Sequence, residues 1–272
     1  MNYVRRGQGK PLLLIHGIGG SWRSWQTILD PLAATSEVIA VDLPGFGDTP
    51  PLDGEVSIRT LADAVTEFVH RNNLTEVDAI GSSMGARLVL ELARRGNVLG
   101  GVVSLDPGGF WQGWQIPFFY HSVNLSIELV RLLQPVMPQL TRNVLSRSIL
   151  FAQFSARPWR LSPTVALDEM RTFAQSPSFD ELLYNLAYGE EQKGAPPGSI
   201  KHPLVIGWGR RDRVCFPSQA RRALELFPDA RLHWFENCGH FPMWDVPQET
   251  TRLILATTSG TGAAKTYSAG AA

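Results

Sequence analysis

The segment Gly81-Ser82-Ser83-Met84-Gly85 is a G-x-S-x-G set between an apolar run, Val77 to Ile80, and a stretch from Ala86 to Arg95 with the apolar spacing and residue types of a helix. Ser83 therefore falls on a strand-to-helix turn. A residue on so sharp a turn has strained backbone dihedrals. Side chains two positions before and after it would collide with neighbouring backbone, so glycine is wanted at 81 and 85. The turn also opens a helix, whose free N–H groups and positive dipole end favour an anion beside the serine. The chemistry on offer is attack by a hydroxyl, although a plain Gly/Ser turn would look the same. A serine hydroxyl is a poor nucleophile until a base takes its proton, and the base needs a carboxylate to hold its tautomer and charge. One histidine and one acid are required.

Two downstream segments supply them. Pro203 to Val214 reads as an apolar strand followed by a polar loop that carries Asp212, and Arg231 to His240 repeats the arrangement with His240 in its loop. Open parallel sheets gather their sites outside the carboxyl ends of the strands. Ser83, Asp212 and His240 each follow a different strand, so they can converge as nucleophile, acid and base. Asp106, after the strand that follows Ser83, competes for the acid's place. Its plainer role is a turn or cap residue before Pro107-Gly108-Gly109. His70, His121, His202 and His233 show no metal-ligand spacing.

These residues need a scaffold. Strand-like runs at Leu12 to Ile15, Val38 to Val41, Val77 to Ile80, Val102 to Leu105, Leu204 to Ile206 and Leu232 to Phe235 alternate with helical stretches at Trp25 to Ala34, Ile58 to Asn73, Met84 to Arg95, Gln219 to Phe227 and Pro247 to Ala256. This is the rhythm of an α/β, doubly wound, mostly parallel sheet of about seven strands, with Met1 to Arg6 as a short further strand. Between Asp106 and Lys201 the rhythm stops. Phe118 to Leu133, with Leu125, Leu129, Leu132 and Leu133 at helical spacing, and Leu140 to Phe154, Val165 to Phe173 and Phe179 to Tyr188 read as helices separated by prolines. The expected organisation is a core of residues 1–107 and 200–258, a helical cap at 108–199 inserted after a core strand, and a disordered tail at 259–272 of small polar residues.

The 272 residues carry 25 basic and 25 acidic side chains, and the absence of a basic surplus argues against a nucleic-acid or anionic-membrane partner. Two cysteines, Cys215 and Cys238, are too few for a disulfide scaffold. The start has no apolar stretch of signal-peptide length, and no run approaches a membrane span. A cytoplasmic protein is expected.

Three further motifs complete a resemblance. Leu13-Leu14-Ile15-His16-Gly17-Ile18-Gly19-Gly20 is similar to an oxyanion loop, Asp42-Leu43-Pro44-Gly45-Phe46-Gly47-Asp48-Thr49 to a D-x-P-G-x-G-x-S turn with Thr49 for serine, and Gly239 to Pro247 to a histidine segment with Asp245 where glutamate is usual. With the serine turn and the acid loop Gly209 to Asp212, and with the order Ser, Asp, His, the chain resembles the α/β-hydrolase superfamily, in its branch with a cap domain, from about Gly7 to Thr257. The resemblance implies Ser83, Asp212 and His240 as catalytic residues and favours Asp212 over Asp106. It implies an oxyanion hole from the backbone N–H groups of Met84 and Ile18, with Gly19 as the alternative to Ile18, and a structural His16. No metal or organic cofactor is required.

The family is mostly one of hydrolases, and the expected activity is hydrolysis of small to medium apolar carboxylic esters through an acyl-enzyme, so a small-molecule ester is the expected partner. Trp111, Phe119 and Phe241 are the candidate substrate-binding side chains, from an aromatic bias in the cap and histidine loop that cap packing alone would also explain. The rivals with the same triad are a carbon–carbon hydrolase of meta-cleavage products, a lactonase and a perhydrolase. Carbon–carbon hydrolases usually place tryptophan straight after the histidine, where this chain has Phe241. Ser83 argues against haloalkane dehalogenases and epoxide hydrolases, whose nucleophile is aspartate. A small-molecule receptor is the remaining class, and turnover distinguishes it.

Overall fold

The computed structural model describes residues 1–258. Its centre is a seven-stranded sheet: β1 (Tyr3–Arg6), β2 (Lys10–Ile15), β3 (Ser36–Val41), β4 (Val77–Ser82), β5 (Leu99–Leu105), β6 (Leu204–Gly209) and β7 (Arg231–Phe235), ordered β1-β3-β2-β4-β5-β6-β7. Only the edge strand β1 is antiparallel, to β3. β4, β5 and β6 are buried along their whole length. Strands covered on both faces read as the near-continuous apolar runs seen in the sequence, since neither face meets water.

The chain leaves β2 for β3 on one side and returns to β4 on the other, so the strand order reverses between β2 and β4. Loops diverge at such a reversal and leave a crevice. The loop after β2 and the serine turn after β4 open on that crevice. The core helices are α1 (Gln26–Ala33), α2 (Ile58–Arg71) and α3 (Met84–Arg95), with α3 packed on β4 and β5.

Between β5 and β6 the chain forms α4 (Gln115–Leu132), α5 (Met137–Arg142), α6 (Val144–Leu150), α7 (Pro163–Gln175) and α8 (Phe179–Tyr188). After β6 come α9 (Ala220–Leu226), then β7, α10 (Pro242–Asp245) and α11 (Pro247–Thr258). The helix expected over Leu140 to Phe154 is in fact two. Asn143 has extended backbone, and its side-chain oxygen accepts from the N–H groups of Leu145 and Ser146, ending α5 and capping α6 in one residue. In α4 the buried stripe is Phe119, Val123, Ile127 and Val130, whereas Leu125, Leu129 and Leu132 of the expected stripe are exposed. The expected tail at 259–272 lies outside the described residues.

Buried polar contacts fasten this insert to the core. Arg87 of α3 donates to the carbonyls of Leu186 and Glu190 at the end of α8, and Ser24 donates to Glu169 of α7 at 3.1 Å. Among the described residues no helix is long and apolar enough to cross a membrane.

Candidate active site

Ser83 sits between β4 and α3 with φ 56° and ψ −114°, a left-handed conformation unusual for a residue with a side chain. The flanking glycines make it feasible. A Cβ at Gly81 would stand 2.0 Å from the Gly85 carbonyl oxygen, and one at Gly85 would stand 2.3 and 2.4 Å from the carbonyl oxygens of Ile15 and His16. The turn thus presses α3 onto the end of β2, and its tip carries the serine.

His240 and Asp212 reach the same point from the loops after β7 and β6. Asp212 can only accept, so His240 Nδ1–H donates to Asp212 Oδ2 at 2.8 Å, and Nε2 is left to accept from Ser83 Oγ at 2.7 Å. The second oxygen, Oδ1, accepts from the N–H groups of Val214 and Cys215, which fixes the carboxylate's orientation. All three side chains are buried. The sequence left Asp106 as an alternative acid, and the geometry does not use it. Asp106 accepts from the Gly209 N–H at 2.7 Å, and its Oδ2 has no donor. Burial and the charge of Asp212 hold Asp106 well above the usual carboxylate range, despite the Gly209 contact. Asp106 is a buried neighbour of the acid whose protonated form is favoured.

The oxyanion loop is held by His16 and Asp42. His16 Nδ1–H donates to the Gly17 carbonyl at 2.7 Å and Nε2 accepts from the Leu43 N–H at 3.0 Å, while burial lowers its pKa and keeps it neutral. Asp42 accepts from Trp22 N–H, Asp48 N–H and the Asn2 amide. A Cβ at Gly17 would lie 3.1 Å from Ser83 Cβ, so this loop passes directly beside the serine. The backbone N–H groups of Ile18 and of Met84, the first residue of α3, are free there.

The histidine loop is fastened by Asp245, which the sequence matched only by its place in a motif. Its oxygens accept from the N–H groups of Gly239, Ala156 and Arg157 and from the Ser155 hydroxyl, and His240 N–H donates to the Phe154 carbonyl. The insert between β5 and β6 therefore helps hold His240 in place.

Above Ser83 lies a cavity of about 470 Å³. Of the candidate substrate-binding side chains, Phe119 and Phe241 line it and Trp111 does not. It stacks on Phe119 at 4.0 Å between ring centroids and supports that wall from outside. The sequence missed Val123, Ile127 and Val130 of α4, with Phe154, Phe173 and Phe179. The second stripe of α4 was the available signal. Among the described residues, no lining side chain apart from His240 is ionisable, and Ser83 and Ser126 are the remaining polar ones.

Among the described residues, Asp212, Cys215 and His240 are the group whose spacing could approach a metal ion. Both nitrogens of His240 and both oxygens of Asp212 already serve the hydrogen bonds above. Burial and the charges of Asp212 and Asp106 push the Cys215 thiol up, away from the thiolate that a metal binds. The arrangement suits proton transfer.

A mostly parallel sheet with a strained serine at its reversal point, and an acid and a histidine on later loops, is the layout of an α/β-hydrolase. The chain belongs to the alpha/beta hydrolase family, whose model matches residues 12–253. It is similar to 2-hydroxy-6-oxononadienedioate/2-hydroxy-6-oxononatrienedioate hydrolase 2 of Pseudomonas putida, 28% identical over 266 residues, or 94% of this chain and 90% of that one. Another relative is the 2-hydroxy-6-oxo-6-phenylhexa-2,4-dienoate hydrolase of Burkholderia cepacia, 24% identical over 92% of this chain and 87% of its own. The solved esterase of Exiguobacterium antarcticum, 19% identical with a TM-score of 0.74 over 94% of each chain, shares the fold.

Proposed function

We propose that the protein is a serine hydrolase that cleaves carboxylic esters with an apolar acyl group, through an acyl-enzyme. Ser83 Oγ attacks the carbonyl carbon as its proton passes to His240 Nε2. Asp212 steadies the imidazolium that forms. The N–H groups of Ile18 and Met84 receive the charge on the carbonyl oxygen. His240 protonates the departing alcohol, then activates the water that releases the acid. The helical insert, residues 108–199, serves as the cap that shapes the acyl pocket. The observation that carries this reading is a Ser83-His240-Asp212 line opening into a cavity with apolar walls and no cationic side chain.

The second reading is cleavage of a carbon–carbon bond beside a ketone, with the same nucleophile and base. The curated relatives favour it over the ester reading, since both named above act on dienoate or dienedioate compounds. Those compounds are carboxylates, and a buried carboxylate wants a cationic or multiply donating partner. The absence of a cation among the cavity-lining side chains weighs for the neutral ester.

The deciding experiment compares p-nitrophenyl esters of increasing chain length with 2-hydroxy-6-oxo-6-phenylhexa-2,4-dienoate, in the parent and in Ser83→Ala. Ester turnover that exceeds dienoate turnover and vanishes in Ser83→Ala supports the first reading, and the reverse order moves the assignment to the second. Turnover that survives the substitution would overturn both, and tight binding without turnover would indicate a receptor.

A further inference from the structure

Helix α4 is apolar on two faces. Its inner stripe walls the cavity over Ser83, while Trp114, just before it, and Phe118, Leu125, Leu129 and Leu132 recur on the opposite side and stand in solvent, Leu125 being 68% and Leu132 76% exposed. A helix apolar all round belongs in a core or against an apolar partner, and α4 has a core on one side only. Helix α6 adds Leu145 and Ile149, 72% and 70% exposed. Gln153, just after α6, hydrogen bonds to Ser122 and Ser126 on the flank of α4, which brings the chain at the end of α6 against α4. Grouped apolar exposure of this extent marks an interaction surface.

The charges around this face are one-sided. Between residues 110 and 160 the acid is Glu128 alone, whereas Arg142, Arg157 and Arg160 make no ion pair among the described residues, and Arg131 is paired with Asp180. The zero net charge of the whole chain conceals this local surplus. We infer that the outer face of α4 and α6 seats the protein on an anionic lipid surface, its leucines and Trp114 entering the acyl boundary while Arg142 and Arg160 meet lipid phosphates. The protein would lie on such a surface without spanning it. A second copy fits less well, because a two-fold contact would set this basic segment against itself with Glu128 and the Arg131-paired Asp180 as the acids beside it. The docking stands apart from the activity proposed above. Only its use, delivery of an acyl chain past α4 into the cavity, rests on that reading.

Co-sedimentation of the full chain with phosphatidylcholine and with phosphatidylglycerol vesicles tests the docking. The parent should pellet with phosphatidylglycerol and be released as salt is raised. Leu129→Asp and Leu132→Asp should each weaken binding at least about tenfold, and Arg142→Ala and Arg160→Ala about fivefold each on phosphatidylglycerol only. Tm and turnover of soluble p-nitrophenyl butyrate should match the parent in all four. No binding to either vesicle, equal binding that ignores these substitutions, or a dimer that Leu132→Asp dissociates without vesicle binding would each overturn the inference. Ser83→Ala should bind like the parent. Intact vesicle binding with no ester turnover in the parent would overturn the proposed activity and leave the docking standing.

Discussion

Two buried aspartates lie close to His240, and exchanging each for asparagine separates their roles. Asp212 accepts the His240 Nδ1 proton at 2.8 Å. In Asp212→Asn the carboxylate charge is lost, and an amide N–H turned towards Nδ1 makes that nitrogen an acceptor, so Nε2 carries the proton and cannot take one from Ser83. At 2.8 Å, and with an effective dielectric of about 20, the lost attraction between carboxylate and imidazolium is about 6 kcal/mol. That corresponds to a fall of about 10⁴ in kcat. Burial and the Asp212 charge favour the protonated form of Asp106, and its Oδ1 accepts from Gly209 N–H. Asparagine keeps that acceptor, places no charge beside Asp212, and tolerates the backbone at φ 49°. Asp106→Asn should therefore retain activity within about fivefold, a change below about 1 kcal/mol. The assay is kcat and KM on the best p-nitrophenyl ester, with circular dichroism to verify the fold. If Asp106→Asn lost as much as Asp212→Asn, or if Asp212→Asn stayed within tenfold of the parent, the assignment of the acid would be refuted.

Other consequences test the scaffold. Gly85→Ala places a methyl 2.3 Å from the Ile15 carbonyl oxygen, with backbone on both sides and nothing flexible to yield, so a loss of about 3 kcal/mol or more in urea unfolding is expected, and a loss under 1 kcal/mol would contradict the close approach. Glu169 is pushed up to about 8, chiefly by burial, with the Ser24 hydrogen bond opposing and the Asp168 charge assisting. The folded state then holds a proton that the unfolded chain releases near pH 4.5, so stability is fully present below that value, falls as pH rises to about 8 and levels off above, by up to about 5 kcal/mol. Unfolding at pH 5, 7 and 9 should show this fall in the parent and a flatter profile in Glu169→Gln. Ile127→Ala lengthens the apolar cavity, and the ratio of kcat/KM for octanoate over butyrate should rise about tenfold or more, an unchanged ratio removing α4 from the acyl pocket.

What could be read from the sequence follows how local each cause is. The strands of the centre are buried on both faces, so their apolar runs announce them, and each has its ends within about three residues of the expected place. Ser83, Asp212 and His240 were legible because each follows such a strand and each needs the others for chemistry. Choosing Asp212 over Asp106 required more than strand order, because both follow strands on the same side of the sheet. Only the direction of the His240 ring decides between them.

The cap is where local causes fail. Helix α4 carries two apolar stripes, and both satisfy helical periodicity equally well. Burial of one depends on α7, α8 and the serine turn, which come from distant parts of the chain. Leucine spacing pointed to Leu125, Leu129 and Leu132, yet the smaller β-branched residues Val123, Ile127 and Val130 face the cavity beside Phe119, with Trp111 stacked outside that ring. The cavity is completed by Phe154, Phe173, Phe179 and Phe241 from other elements, so residues distant in sequence decide which stripe of α4 is covered. Among the described residues the leucines on the other face are exposed, and the docking inferred above would give them a partner.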